Sequence, residues 1–271
     1  MAEVFANGLR FHVQRVAPAR HRPVPGDHRT AVFLHGLAVD DLSSFYYTLA
    51  DPVAKAGVEV ILYDQRGQGL SERPPEGYRL DDAMADLFAI LDALDIRDPV
   101  VLVGNSYGGI LAGHAALARP ERVAGLVLID AGFAGEIVGE WLERMINTLS
   151  VAALQYEHER IGEQCAAVGW RKLARQAAGI NALLNETTLI EDLAAAPVVD
   201  PVRLGDIGCP VLAVFGEHSE MIGAAHELVG RVPDCTVEVL PGLAHTVLRE
   251  AAGPLAEVVV SWLGSQAGAR L

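Results

Sequence analysis

The sequence predicts an α/β fold in which a mostly parallel sheet carries helices on both faces and is interrupted once by a helical insertion. Three observations predict it. Short runs of branched apolar residues recur at 9–13, 31–34, 58–63, 100–103, 126–129, 211–215 and 236–240. Most are apolar at consecutive rather than alternate positions, the pattern of strands buried on both faces. Helix-prone stretches fall between these runs, and from 132 to about 203 the strand-like runs stop altogether.

Taken in order, the strand at 9–13 is followed by Pro18, Pro23, Pro25 and Gly26, which read as an exposed turn. Strand 31–34 leads to a helix at 44–56, and strand 58–63 to a helix at 81–94. After strand 100–103 a helix runs from 110 to 119, where Pro120 forbids its continuation. Strand 126–129 precedes the insertion, whose helical stretches are 136–149 and 151–168. The sheet resumes at 211–215, followed by a helix at 224–231, strand 236–240 and a last helix at 254–263. The expected division is a core of residues 1–131 and 204–271 with a helical cap of residues 132–203.

Composition narrows the function. With 271 residues, 51% hydrophobic and 21% charged, the chain is long enough to bury a core and is neither disordered nor collagen-like. Its net charge of −14 argues against a nucleic-acid partner or an anionic membrane surface, since both select basic patches. Mean hydropathy is +0.26, yet no apolar stretch approaches the roughly 18 residues needed to span a bilayer. Residues 1–8 lack a basic segment followed by an apolar one, so the expected location is the cytoplasm. Cys165, Cys209 and Cys235 are widely spaced and form no Cys-x-x-Cys pair, and the run Glu157-His158-Glu159 lacks a further ligand at a suitable spacing. No disulfide framework, metal site or cofactor is expected.

The chemistry is concentrated in Gly104-Asn105-Ser106-Tyr107-Gly108-Gly109, between strand 100–103 and the helix that follows. A Gly-x-Ser-x-Gly sequence in that context puts a serine on a sharp strand-to-helix turn, its hydroxyl held clear of the sheet. Flanking glycines remove the clashes that such a turn creates, and the helix N-terminus offers partial positive charge to a developing oxyanion. Late in the chain, His245 follows the last strand in Leu240-Pro241-Gly242-Leu243-Ala244-His245.

On these residues the chain resembles the α/β-hydrolase family, through most of its length outside the insertion. Two further motifs agree: His35-Gly36-Leu37 is similar to the family's His-Gly-x loop, and Asp64-Gln65-Arg66-Gly67-Gln68-Gly69-Leu70-Ser71 to its Asp-x-Arg-Gly-x-Gly-x-Ser turn. The resemblance implies that Ser106 is the nucleophile, that His245 is its general base, and that the N–H groups of Leu37 and Tyr107 form the oxyanion hole. Asp64 and Arg66 are expected to order their loop. Epoxide hydrolases and haloalkane dehalogenases of this fold carry aspartate at the nucleophile position, which here is Ser106.

The acid departs from the family's commonest pattern. Where many relatives read Gly-x-x-Asp, this chain has Gly216-Glu217-His218-Ser219, and a serine holds no charge against an imidazolium. Glu220, the next residue, is the first candidate; Asp130, at the end of strand 126–129, is the alternative, and Glu217 the third. Within the cap, Trp141 and Tyr156 are candidate substrate contacts, with Met145 and Trp170 of similar bulk. The expected activity is hydrolysis of a small-molecule acyl ester, thioester or lactone, with an acyl-carrier partner if the substrate is a thioester. C–C bond hydrolysis, acyl transfer or elimination on the same scaffold, and a non-catalytic ligand-binding role, are the alternatives.

Overall fold

The computed structural model describes residues 2–19, 30–159 and 171–268. Eight strands form one sheet: β1 (Ala2–Ala6), β2 (Leu9–Val16), β3 (Thr30–Leu34), β4 (Glu59–Tyr63), β5 (Val100–Asn105), β6 (Val123–Ile129), β7 (Val211–Gly216) and β8 (Cys235–Leu240). Their order is β1-β2-β4-β3-β5-β6-β7-β8. β2 runs antiparallel to both β1 and β4, and β3 through β8 are parallel. Because β4 lies on one side of β3 and β5 on the other, the connections diverge at the C-terminal end of β3, where an open parallel sheet leaves a crevice.

Consecutive apolar residues produce two cores. Along β3 every residue is buried, and neighbours alternate between faces: Val32 and Leu34 join one cluster with Leu102, Leu128 and Phe215, while Ala31 and Phe33 join the other with Val103, Ile129 and Val214. The first cluster is covered by the helices Leu80–Ala93, Tyr107–Ala118 and Ile222–Arg231, through residues such as Leu87, Leu111 and Leu228. The second is covered by Phe45, Leu49 and Val53 of the helical stretch 43–55 and by Leu255, Val259 and Leu263 of the final helix Ala252–Gly268. Each such leucine or valine contributes about 1.5–3 kcal/mol of burial. No described helix is long and apolar enough to cross a membrane.

The seven strands expected from the sequence are present, and the structure adds an eighth at the edge. β1 pairs with β2 through a two-residue hairpin at Asn7-Gly8, where both residues have positive φ (47° and 76°). Asn-Gly is the turn that a right-twisted hairpin favours, and it is the signal in the sequence for this strand. β8, whose sequence mixes polar with apolar residues, largely alternates half-buried and exposed positions, because it is the other edge.

Residues 132–203 carry helices Glu136–Glu159, Arg171–Asn185 and Leu189–Ala194. A parallel bridge between Ala134 and Val199 brings the two ends of this insertion together beside the sheet. The two helices expected at 136–149 and 151–168 are one continuous helix through Ser150, whose hydroxyl donates to the Ile146 carbonyl a turn back, within the helix, instead of capping a new one. The remainder of the second expected helix, Trp170, Cys165, most of the proline-rich turn and the side chains of 157–159 lie outside the described residues.

The Asp64 turn is tied from all sides. Asp64 accepts N–H bonds from Leu42 (2.8 Å) and Leu70 (2.9 Å), and its second oxygen also meets His12 Nδ1 at 2.8 Å. Arg66 lies against Asp86 with both groups buried, Nε to Oδ2 at 2.6 Å and Nη2 to Oδ1 at 2.6 Å, and it also donates to the Gly77 carbonyl. Burial pushes the Asp86 carboxyl above its ordinary range, while hydrogen bonds from Arg66 and Asn7 oppose that shift. Arg66→Met is therefore expected to lower unfolding free energy by about 3–5 kcal/mol in urea titrations, because it strands a buried charge. Without its partner the Asp86 carboxyl is held still further above its unfolded value. The folded variant then binds more protons than the unfolded chain, so its deficit should grow as pH rises from 5 to 8.

Candidate active site

Three loops at the C-terminal ends of β5, β6 and β8 meet over the sheet. At the end of β5, Ser106 has φ 55° and ψ −122°, outside both the strand and the helix regions, and the helix Tyr107–Ala118 starts immediately after it. The turn closes only because Gly108 has no side chain: a Cβ there would collide with the Leu34 carbonyl, and one at Gly104 would collide with Gly108 itself. Backbone bonds hold the strained residue in place. Ser106 N–H donates to Ile129 O at 3.0 Å, and Ser106 O accepts from Gly109 N–H at 2.9 Å. Its Oγ stands 2.9 Å from His245 Nε2.

His245 lies in the loop after β8, which is fastened to the loop after β7 by Glu217 N–H to Leu240 O (3.0 Å) and His218 N–H to Leu243 O (2.8 Å). Its Nδ1 is 2.5 Å from Asp130 Oδ2. Asp130 ends β6, has φ 46° and is fully buried. The Gly216 N–H donates to its Oδ1 at 2.9 Å, and the Ser219 hydroxyl donates to its Oδ2 at 2.6 Å. The carboxylate is thus held by donors on both oxygens, and the Nδ1 contact fixes the imidazole so that Nε2 faces the serine.

The expectation for Glu220 is corrected by the structure. Its side chain is 65% exposed and meets Arg144 Nε at 3.3 Å on the long insertion helix, away from His245. The cause is local: Ser219 and Met221 on either side turn inward, 4% and 1% exposed, which leaves the residue between them facing outward. Glu217 is also outside the cluster, accepting the Gly242 N–H at 2.8 Å. The alternative acid, Asp130, is the carboxylate that the structure brings to His245. The Ser219 hydroxyl is a participant that sequence reasoning misses; its signal is the serine standing where an aspartate is usual.

Leu37 and Tyr107 lie together along a small recess that also touches Gln68, Tyr78 and Leu183. Tyr107 is the first residue of its helix, so its N–H has no acceptor within that helix. The Leu37 loop is fixed by His35, fully buried, whose Nε2 accepts from Gln65 N–H (2.9 Å) while Nδ1–H donates to Gly36 O (2.7 Å), and by Ala38 N–H donating to Gln68 Oε1 (2.7 Å). Burial raises the Tyr107 phenol above the usual tyrosine range and lowers His114 on the same helix, so both stay neutral. A cavity of ≈ 460 Å³ shares Gln68 and Leu183 with this recess and is lined further by His12, Val39, Asp40 and Ile180.

Of the two insertion residues expected at the site, one is there. The Trp141 ring lies 5.5 Å from the His245 ring, tilted 46° and 8% exposed. Tyr156 is fifteen residues farther along the same helix, about 22 Å at 1.5 Å per residue, and is not brought to the cluster.

A family model described as the alpha/beta hydrolase fold matches residues 31–160. Among curated proteins, the chain is 28% identical over 238 residues to the dihydrolipoyllysine-residue acetyltransferase component of the acetoin cleaving system of Pseudomonas putida, covering 86% of this chain and 62% of that protein. It is 29% identical over 202 residues to the 2-(acetamidomethylene)succinate hydrolase of Mesorhizobium japonicum, covering 69% of this chain and 72% of that one. This chain thus spans less than two thirds of the first relative's length. The crystal structure of proline iminopeptidase from Mycobacterium smegmatis matches with a TM-score of 0.71 at 20% identity, over 100% of this chain and 99% of its own. That likeness is one of fold.

Asp130→Asn and Glu220→Gln separate the two carboxylates. Glu220→Gln removes one exposed ion pair, worth at most about 1 kcal/mol, and is expected to leave both turnover and thermal unfolding close to wild type. Asp130→Asn keeps the shape and loses the charge beside His245, so turnover should fall by about 10²–10⁴-fold. Equal losses in steady-state assays of the two variants would disconnect Asp130 from the reaction.

Proposed function

Starting from a chain with the α/β-hydrolase fold, we propose that it is a serine hydrolase that cleaves an acyl bond of a small molecule through a Ser106–His245–Asp130 triad. The observation that carries this reading is the unbroken relay from Ser106 Oγ to His245 Nε2 (2.9 Å) and from His245 Nδ1 to Asp130 (2.5 Å), at the end of a strained strand-to-helix turn. A non-catalytic role would have no use for that strain, which costs roughly 1–3 kcal/mol.

The steps follow from the geometry. Ser106 Oγ attacks the substrate carbonyl while His245 Nε2 takes its proton, and Asp130 stabilises the resulting imidazolium. The carbonyl oxygen becomes an oxyanion received by the N–H groups of Leu37 and Tyr107, the second at a helix N-terminus. His245 returns the proton to the leaving alcohol or thiol as the carbon–heteroatom bond breaks, leaving an acyl-serine. Water, deprotonated by the same Nε2, then attacks that ester; the product acid departs and Ser106 recovers its proton. Protein groups and water suffice for the whole cycle.

An ester is the reading for the substrate, with thioester and lactone next, and an acyl-carrier partner if the acyl group arrives as a thioester. C–C hydrolysis would use the same serine and histidine, with His245 Nε2–H protonating carbon instead of the leaving alcohol or thiol. Residues 132–203 serve in this reading as the cap, with Trp141 the contact that limits groups entering over His245.

The test is hydrolysis of matched short-to-medium acyl p-nitrophenyl esters and acyl thioesters by wild type and Ser106→Ala, alongside labelling by a fluorophosphonate probe. Activity on at least one series that drops about 10⁴-fold or more in Ser106→Ala, together with labelling that disappears, is the expected result. A folded wild-type protein that neither hydrolyses nor labels would overturn the reading. In the same series, Trp141→Ala should move the preference toward bulkier acyl groups, measured as kcat/KM across chain length.

A further inference from the structure

We infer that Ser219 is a positioning residue of this site: its hydroxyl, fixed in direction, holds the Asp130 carboxylate onto His245 and sets the pH at which the relay becomes active. This rests on the serine-hydrolase reading above. Ser219 is buried at 4% exposure and takes part in two hydrogen bonds of opposite sense. Its Oγ accepts the Met221 N–H at 3.0 Å, which occupies a lone pair and turns the hydroxyl proton elsewhere. That proton goes to Asp130 Oδ2 at 2.6 Å, the same oxygen that meets His245 Nδ1 at 2.5 Å.

Two consequences follow for one oxygen shared by two donors. First, the carboxylate cannot rotate: Oδ1 is held by Gly216 N–H at 2.9 Å and Oδ2 by Ser219, so the oxygen facing the imidazole stays in line with Ser106. Second, a hydroxyl donating to Oδ2 draws charge from the oxygen that must stabilise the imidazolium. Removing it leaves the carboxylate less compensated and the imidazolium better stabilised. The acid limb of the rate profile then moves upward in pH.

Charged side chains on the neighbouring segments have partners of their own. Arg144 pairs with Glu140 and Glu220, Glu217 holds the Gly242 N–H, and Arg249 faces Asp40 at 4.0 Å. None of them touches Ser219, so a change at that hydroxyl is read out through Asp130.

The experiment is the pH dependence of kcat/KM for wild type, Ser219→Ala, Asp130→Asn and the double variant, on whichever acyl substrate wild type turns over. Ser219→Ala is expected to lose about 10-fold or more in kcat with KM near wild type, as for a hydrogen bond to a charged group, and to shift the acid limb upward. In the Asp130→Asn background the same substitution should add little, because the oxygen it acts on has lost its charge. An unshifted acid limb, or losses that simply multiply in the double variant, would overturn the proposal while leaving the serine hydrolase intact. If Ser219→Ala does not fold, Ser219→Cys, of similar size and a weaker donor, carries the same readout with a smaller shift, and no shift would again refute it. Retention of activity by Ser106→Ala would instead refute the underlying reading.

Discussion

A carboxylate with no exposure to water is the constraint on which this site depends. Asp130 sits at the end of β6, and an isolated charge buried that deeply would cost several kcal/mol. It is tolerated because each neighbouring loop supplies a donor: Gly216 at the end of β7, Ser219 three residues on, and His245 from the loop after β8. Removing any one leaves an imperfectly satisfied ion in the interior. The same three bonds that satisfy the carboxylate therefore fix the loops around it, and the alignment of Ser106, His245 and Asp130 is a by-product of satisfying a buried charge.

The serine side of the cluster follows a different rule. No donor relieves Ser106 of its positive φ; the turn persists because strand, helix and neighbouring backbone leave no room for another conformation. Gly104 and Gly108 provide that close fit, and the central position of β5, between β3 and β6, makes it rigid. Strain at Ser106 and charge at Asp130 are thus held by separate devices that meet at His245. The histidine is the partner with freedom left, its side chain 37% exposed in a loop rather than in a strand or helix.

Most of this frame is legible in the sequence because parallel strands buried on both faces write themselves as consecutive apolar runs. Ser106 and His245 are equally legible, since a glycine-flanked serine between strand and helix marks a nucleophile turn and a histidine after the last strand is placed to meet it. The acid is a different matter. Asp130 and Glu220 both follow strands whose ends converge, and one residue of offset in the loop after β7 decides which side chain turns inward. That offset is set by tertiary packing, with Met221 buried and Ser219 bonded to Asp130, and local propensity carries no trace of it. β1 is hidden because it is short and mostly exposed, Phe5 included, so that the Asn7-Gly8 turn is what announces it.

The insertion helix reaches the site with two contacts of unequal strength. Arg144 meets Glu220 with side chains 50% and 65% exposed, an arrangement worth at most about 1 kcal/mol and weakened further by salt. Trp141, three residues earlier and 8% exposed, lies against the histidine ring, and burying an aromatic side chain contributes about 1.5–3 kcal/mol. The hold of this helix on the site is accordingly apolar. Trp141 thus packs its ring beside an imidazole that is itself partly exposed, as Ser106 is. A single ring contact thereby couples the seat of this helix to the surroundings of the imidazole.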